Sequence, residues 1–118
     1  MPLVEELLDS LLLRPSNRLA VYGTLSRGGV NAPVLDGING DWLKATLRGE
    51  ITLRNNLPAL KWKMDAREVD VEMLSSVALR EKFTSLDRFE GCTYRRILAP
   101  VKTSDGFLVA NVYESAGD

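Results

Sequence analysis

Near the start of the chain Leu3, Val4, Leu7, Leu8, Leu11 and Leu12 recur every three or four positions, with Glu5, Glu6 and Asp9 between them and Pro15 just beyond. That spacing predicts an amphipathic helix, and its early acidic residues suit the positive end of the helix dipole. A stripe of this kind docks on a domain or meets a second copy of the chain; docking is the simpler expectation. Residues 18–22 are short and apolar enough for a central strand that stops at Gly23. Between 43 and 53 the pattern alternates, Leu43, Ala45, Leu47, Ile51 and Leu53 on one face and Lys44, Thr46, Arg48, Glu50 and Thr52 on the other, the clearest strand in the chain. Gly49 falls on the apolar face, the mark of a bulge or a close backbone approach.

In "NNLPALKWK" a turn leads into an edge strand, because Pro58 has no N–H to give to a ladder. "EVDVEM" alternates again, with Val69, Val71 and Met73 on one side. Ser75 or Ser76 is placed to cap a second helix, whose apolar positions Leu79, Phe83, Leu86 and Phe89 face a core and which ends near Gly91. "YRRILAPVKTSDGFLVANVYE" reads as a hairpin turning at Ser104, Asp105 and Gly106. Five to six strands and two helices predict an α+β fold, a small mixed sheet curled towards a barrel.

At 118 residues the chain fits a single domain. Its 15 basic and 16 acidic residues are spread along the whole length, leaving no basic footprint for nucleic acid. No apolar run approaches the roughly 18 residues of a membrane span. Without histidine and with the single Cys92, the sequence offers no intrachain disulfide, no histidine-based triad and none of the usual zinc spacings. A reduced, cytoplasmic setting fits, and neither a metal nor a cofactor is expected. The first residues, "MPLVEELLDSLLL", carry acidic groups where a secretory signal carries basic ones, and are read as part of the mature protein.

Two stretches hold the candidate chemistry. In "LDRFEG", residues 86–91, Glu90 sits in the last helical turn, facing the negative end of the dipole, a mildly destabilising placement. It is either an exposed carboxylate of no consequence or one kept for chemistry. In "VYGTLSRGGVN", residues 21–31, a strand runs into a glycine-containing loop whose N–H groups, left without ladder partners, form either an ordinary turn or an anion cradle. Gly23, Gly28 and Gly29 match neither the dinucleotide nor the phosphate-loop spacing.

Taken together, the two stretches resemble the gamma-glutamylcyclotransferase-like family. Tyr22, Gly23, Thr24 and Leu25, with Gly28 and Asn31 downstream, match its first motif; Leu86, Asp87, Glu90, Gly91, Tyr94 and Arg96 match its second. Residues 57–60 and the Val112, Tyr113 pair look like its intermediate and closing strands. The resemblance covers residues 18–114 and leaves 1–14 as a helical addition.

What the resemblance implies is a small twisted β-barrel with helices packed outside and a pocket at its mouth. The implied reaction is intramolecular: the α-amino group of a γ-glutamyl amide attacks its own γ-carbonyl, releasing 5-oxoproline and an amine or amino acid. Glu90 is the implied proton carrier, and it works best with its pKa raised by burial, so Arg88 is expected to point outward. Residues 22–25 would hold the glutamyl head. Tyr22 would shape the pocket or hydrogen-bond Glu90, Tyr94 would line the pocket or brace its strand, and Arg96 would brace. Asp87 is expected to meet backbone or solvent. Cys92 lacks an activating neighbour and is expected to be inert. The alternative from another class is a non-catalytic small-molecule-binding or interaction module on the same fold. The expected partner is a small γ-glutamyl substrate, with no nucleic acid or membrane, and a homodimer through the first helix is the second expectation for that stripe.

Overall fold

The computed structural model describes residues 3–22, 38–54, 57–91 and 93–116. Helix α1 (Leu3–Leu11) and a 3-10 turn (Pro15–Asn17) precede strand β1 (Arg18–Val21). Then come β2 (Asp41–Arg54), β3 (Leu57–Trp62), β4 (Glu68–Ser75), helix α2 (Leu79–Glu90), β5 (Tyr94–Thr103) and β6 (Gly106–Ser115). The strand order is β3-β2-β4-β1-β6-β5, and a β2–β5 pairing at Thr46 and Lys102 closes it. Five strands thus form a closed barrel with β3 as an extra strand on β2; β1 and β6 run parallel and the other ladders are antiparallel.

The long strand β2 serves two partners. Its residues 41–48 pair with β4 and 49–54 with β3. The handover falls at Gly49, where a Cβ would lie 2.8 Å from both Leu60 Cδ1 and the Lys61 carbonyl oxygen. The close approach expected from the sequence is therefore real, and only glycine allows it without displacing backbone. Along the same strand Ala45 and Leu47 are buried, whereas Leu43, Ile51 and Leu53 are exposed. The strand outruns the core, so its alternation continues past the point where there is anything to pack against.

Two apolar clusters follow from the period-2 geometry of the strands. Ala20, Leu47, Leu60, Met73, Val101, Ala110 and Val112 fill the barrel. Leu19, Val21, Leu74 and Tyr113 point the other way and meet Leu79, Phe83 and Leu86 of α2. Strand β1 is buried on both faces because it lies between these two layers.

Three expectations need correction. Phe89 does not face the core and is 46% exposed: Leu79, Phe83 and Leu86 fix the buried face, and the residue that continues it is 90. Ser76 lies two residues before the N-cap position, taken by Ala78 without a side-chain cap; its Oγ accepts the Ala78 N–H at 3.1 Å and donates to the Asn39 carbonyl, tying the helix entry to the preceding chain. On α1, Val4, Leu7 and Leu11 are exposed while Asp9 is buried, the reverse of docking by the apolar stripe. The edge position of β3, the end of α2 at Gly91 and the 103–106 hairpin match the reading of the sequence. Among the described residues no helix is long and apolar enough to cross a membrane.

Candidate active site

Helix α2 positions Glu90. Leu79, Phe83, Leu86 and Glu90 are spaced four, three and four apart, which brings all four onto one face. The first three anchor that face in the core, at 5% exposure or less, so the fourth must be carried inward with them. Glu90 is accordingly half-buried. Burial pushes its carboxyl up from 4.5 to about 7, and among the described residues no hydrogen bond or ion pair offsets this. Glu90 lies within electrostatic reach of the Tyr22 and Tyr113 hydroxyls.

The arginines near Glu90 in the chain are turned elsewhere. Arg88 is exposed. Arg95 donates to Glu114 Oε2 through Nε at 2.9 Å and Nη2 at 2.8 Å. Arg96 donates to Asp87 through Nε at 3.0 Å and Nη2 at 3.3 Å, and through Nη1 to Asn111 Oδ1 at 3.2 Å. The bracing role expected of Arg96 is what the structure shows. Asp87, expected to meet backbone or solvent, instead meets two side chains, Arg96 and Tyr113, whose hydroxyl proton its Oδ1 accepts at 2.6 Å.

Tyr22 does not hydrogen-bond Glu90. Its hydroxyl accepts the Leu60 N–H at 3.0 Å and donates to the Tyr113 carbonyl at 2.5 Å. Burial first, together with the nearby Tyr94, Glu90 and Glu114, raises its pKa well above that of a free tyrosine, which excludes it as a base near neutral pH. Tyr94 donates to the Pro58 carbonyl at 2.8 Å, and Glu114 Oε1 accepts the Trp62 N–H at 3.0 Å. Pro58, Leu60 and Trp62 alternate along the edge of β3 that β2 does not pair, so three side chains complete that edge in place of a backbone ladder. Strand β3 is thereby held over β6. Tyr22 and Tyr94, singled out from the sequence as pocket residues, are seams of the barrel; of the two, Tyr22 lines a cleft and Tyr94 does not.

A cleft of about 660 Å³ opens at Tyr22, within the usual range for small-molecule sites. Its walls combine the exposed end of β2, Ile51 and Leu53, with Pro58 on one side and Lys44, Asp70 and Glu72 on the other. Ile51 and Leu53, which outrun the core at the end of β2, are thus cleft residues. Gly23, Thr24, Leu25, Gly28 and Asn31 of the first motif, and Cys92, lie outside the described residues. Among the described residues no three His, Cys, Asp or Glu side chains converge closely enough to hold a metal ion. Sequence reasoning missed the connection of Tyr113, Asn111 and Glu114 to this region. The signal for Glu90 was present, however, in its place eleven residues after Leu79 on the apolar stripe.

No curated protein matches the chain significantly. Among solved structures it is similar to an AIG2-like protein from Mus musculus, with a TM-score of 0.67 and 24% identity over 85% of this chain and 77% of that one. It is also similar to the uncharacterised protein PH0828 from Pyrococcus horikoshii, with a TM-score of 0.64 and 26% identity over 86% and 79%. YkqA from Bacillus subtilis matches with a TM-score of 0.68 and 22% identity over 84% of this chain, which spans only 35% of YkqA. The model of the family described as gamma-glutamyl cyclotransferase, AIG2-like, matches residues 19–117. With that match running from β1 through the last strand, the chain belongs to the gamma-glutamyl cyclotransferase, AIG2-like family.

Proposed function

We propose that the protein is a cyclotransferase acting on γ-glutamyl amides, with Glu90 as its proton carrier. The observation that carries this reading is a carboxyl on the core-facing stripe of α2, raised by burial to about 7 and within electrostatic reach of Tyr22, a residue of the cleft wall. Family membership supports the reaction class.

In the proposed reaction the substrate supplies both nucleophile and electrophile. A bond forms between its α-nitrogen and its γ-carbonyl carbon while the bond from that carbon to the leaving nitrogen breaks. The product is 5-oxoproline, and no water is consumed. Because the reacting groups share one molecule, the protein has to select the folded conformer and move protons. Ionised Glu90 takes one proton from the α-ammonium, freeing the lone pair for attack, and gives it to the departing nitrogen; the second proton, shed when the attacking nitrogen becomes the lactam N–H, follows the same route, so that the amine leaves as an ammonium. A pKa near working pH suits both directions of transfer, since neither form of the acid is rare. Tyr22 shapes the cleft wall within electrostatic reach of Glu90, and the segment 22–25, of which 23–25 lie outside the described residues, is the proposed holder of the glutamyl head, through the carboxylate or the developing oxyanion. The leaving amine would lie along Ile51, Leu53 and Pro58.

The test is release of 5-oxoproline from a panel of γ-glutamyl amines and dipeptides, with the parent beside Glu90→Gln. The expected result is turnover of at least one amide, reduced on the order of 100-fold or more in the near-isosteric variant. Binding of panel members without any release would replace this reading with a small-molecule-binding module.

A further inference from the structure

We infer that Asp87 is a positioning residue for Glu90: its carboxylate, gripped by Tyr113 of β6 and Arg96 of β5, fixes the last turn of α2 and so keeps the Glu90 carboxyl in its half-buried place. This deepens the proposed function and rests on it for the role of Glu90, whereas the clamp itself is a matter of geometry.

Asp87 stands three residues before Glu90, in the same final turn. A carboxylate there is mildly disfavoured by the helix dipole, and an interaction outside the helix holds it. That interaction is a double one. Oδ1 accepts the Tyr113 hydroxyl proton at 2.6 Å and the Arg96 Nε–H at 3.0 Å, and Oδ2 accepts from Arg96 Nη2 at 3.3 Å. This is the two-pronged arginine–carboxylate geometry that fixes direction as well as distance.

The arginine is itself held. Its guanidinium carbon lies 4.3 Å from the centre of the Phe83 ring, and its Nη1 donates to Asn111 Oδ1 at 3.2 Å. Asn111 is buried, and its Nδ2 donates to the Pro15 carbonyl at 3.0 Å. The helix end is therefore tied to β5, β6 and the 3-10 turn at once. Within the helix, the Asp87 carbonyl accepts the Gly91 N–H at 3.0 Å, after which the chain leaves with Gly91 at φ 67°. Both the side chain and the carbonyl of Asp87 hold the turn that carries Glu90. Without the side-chain grip the last turn is an ordinary helix end, free to fray, and water reaches the carboxyl whose raised pKa depends on burial.

The described ionisable groups around Glu90 are few. Tyr22, just past the end of β1, and Tyr113 from β6 lie within its electrostatic reach, both kept neutral by burial. On its own helix Arg88 is exposed and Asp87 is paired with Arg96 of β5. Removing the Asp87 charge alone would lower the Glu90 pKa, so the experiment has to separate charge from position.

The test reads Glu90 without requiring turnover. The full chain is isotope-labelled and the Glu90 side-chain carboxyl carbon is followed by NMR through a pH titration in the parent, Tyr113→Phe and Asp87→Asn. Tyr113→Phe removes one strut and leaves every charge near neutral pH in place. The parent is expected to titrate near 7. The midpoint should fall by about one pH unit in Tyr113→Phe and further in Asp87→Asn, with the remaining amide spectrum preserved. Where turnover is present, the acid limb of kcat/KM should move in step. A midpoint unmoved in folded Tyr113→Phe overturns the inference, even if Asp87→Asn shifts, because that pattern is a direct charge effect. If Asp87→Asn does not fold, Tyr113→Phe decides alone. Midpoints that move as expected in a protein that turns over no γ-glutamyl amide would uphold the positioning role and refute the proposed reaction; an unmoved midpoint in an active enzyme would do the reverse.

Discussion

Helices α1 and α2 share an amphipathic pattern and dock in opposite ways. Helix α2 presses Leu79, Phe83 and Leu86 into the core. Helix α1 leaves Val4, Leu7 and Leu11 exposed by 57% or more, while Asp9 is only 6% exposed. Asp9 accepts the Ser16 N–H at 3.0 Å, the Ser16 hydroxyl at 2.9 Å and Arg80 Nη2 at 2.7 Å. The Arg80 contact joins α1 to the first turn of α2. The chain leaves α1 through two left-handed residues, Leu13 at φ 60° and Arg14 at φ 64°, with the Arg14 N–H on the Asp9 carbonyl at 2.7 Å. Non-glycine residues rarely adopt that conformation. Each helix is thus held near its end by an aspartate gripped by an arginine from another element, Asp9 by Arg80 and Asp87 by Arg96. Among the described side chains only α2 adds an apolar seam. Hydrophobic spacing shows that a helix has faces; it does not say which face the fold will cover.

The contrast can be tested, beginning with the largest effect. Leu86→Ala should cost about 2 to 5 kcal/mol in urea unfolding, because a side chain 2% exposed between barrel and helix leaves a cavity. A loss under about 1 kcal/mol would mean that α2 is not seated on that face.

Asp9→Ala should cost about 1 to 2 kcal/mol at neutral pH through its lost charge-assisted hydrogen bonds. Burial alone would raise the Asp9 pKa, but the hydrogen bonds from Ser16 and Arg80 outweigh it and hold the group below its ordinary 3.8. Its stabilisation is therefore present above the unfolded-state pKa and is lost as pH falls through the lower folded value. The parent and Asp9→Ala should converge in acid; a constant gap would assign the effect to packing instead.

Glu90→Gln should give the opposite slope. The folded-state pKa of Glu90 is raised from 4.5 to about 7, so the parent binds more protons folded than unfolded and loses stability as pH rises across that interval. Relative to the parent the variant should gain stability there, reaching a gap on the order of 1 kcal/mol, below the full linkage value because the carboxyl is partly solvated. Melting curves of the pair at several pH values measure the gap. A parent that gains on the variant with rising pH would mean that Glu90 is ionised and paired.

Leu7→Ala should change stability by no more than about 0.5 kcal/mol, as expected at an exposed site. A larger loss that grows with protein concentration would place a second copy of the chain on this face.

Much of the architecture was legible in the sequence because it follows from local periodicity. The alternation around 43–53 and 68–73, the Pro58 edge strand and the Gly91 stop each rest on one residue's backbone or side-chain geometry, and each is found. Phe89 was misread because a helix face was taken from hydrophobicity alone, whereas Leu79, Phe83 and Leu86 direct the next inward position to 90. That one-residue difference decides the candidate site, since it turns Phe89 outward and a carboxylate inward.

The sequence by itself determined most of the elements, the barrel class and the family motifs, and singled out Glu90 as the carboxylate to propose, because helix and strand periods and motif spacing can be read from the residues alone. Only the tertiary structure decided where the charges face. Arg95 and Arg96 lie five and six positions from Glu90 along the chain, yet β5 delivers them to Glu114 and Asp87. Tyr22 meets Leu60 and Tyr113 across separations of 38 and 91 residues. Burial and pairing depend on what the fold brings alongside each group, and a pKa near 7 on Glu90 is a consequence of how α2 packs against the barrel.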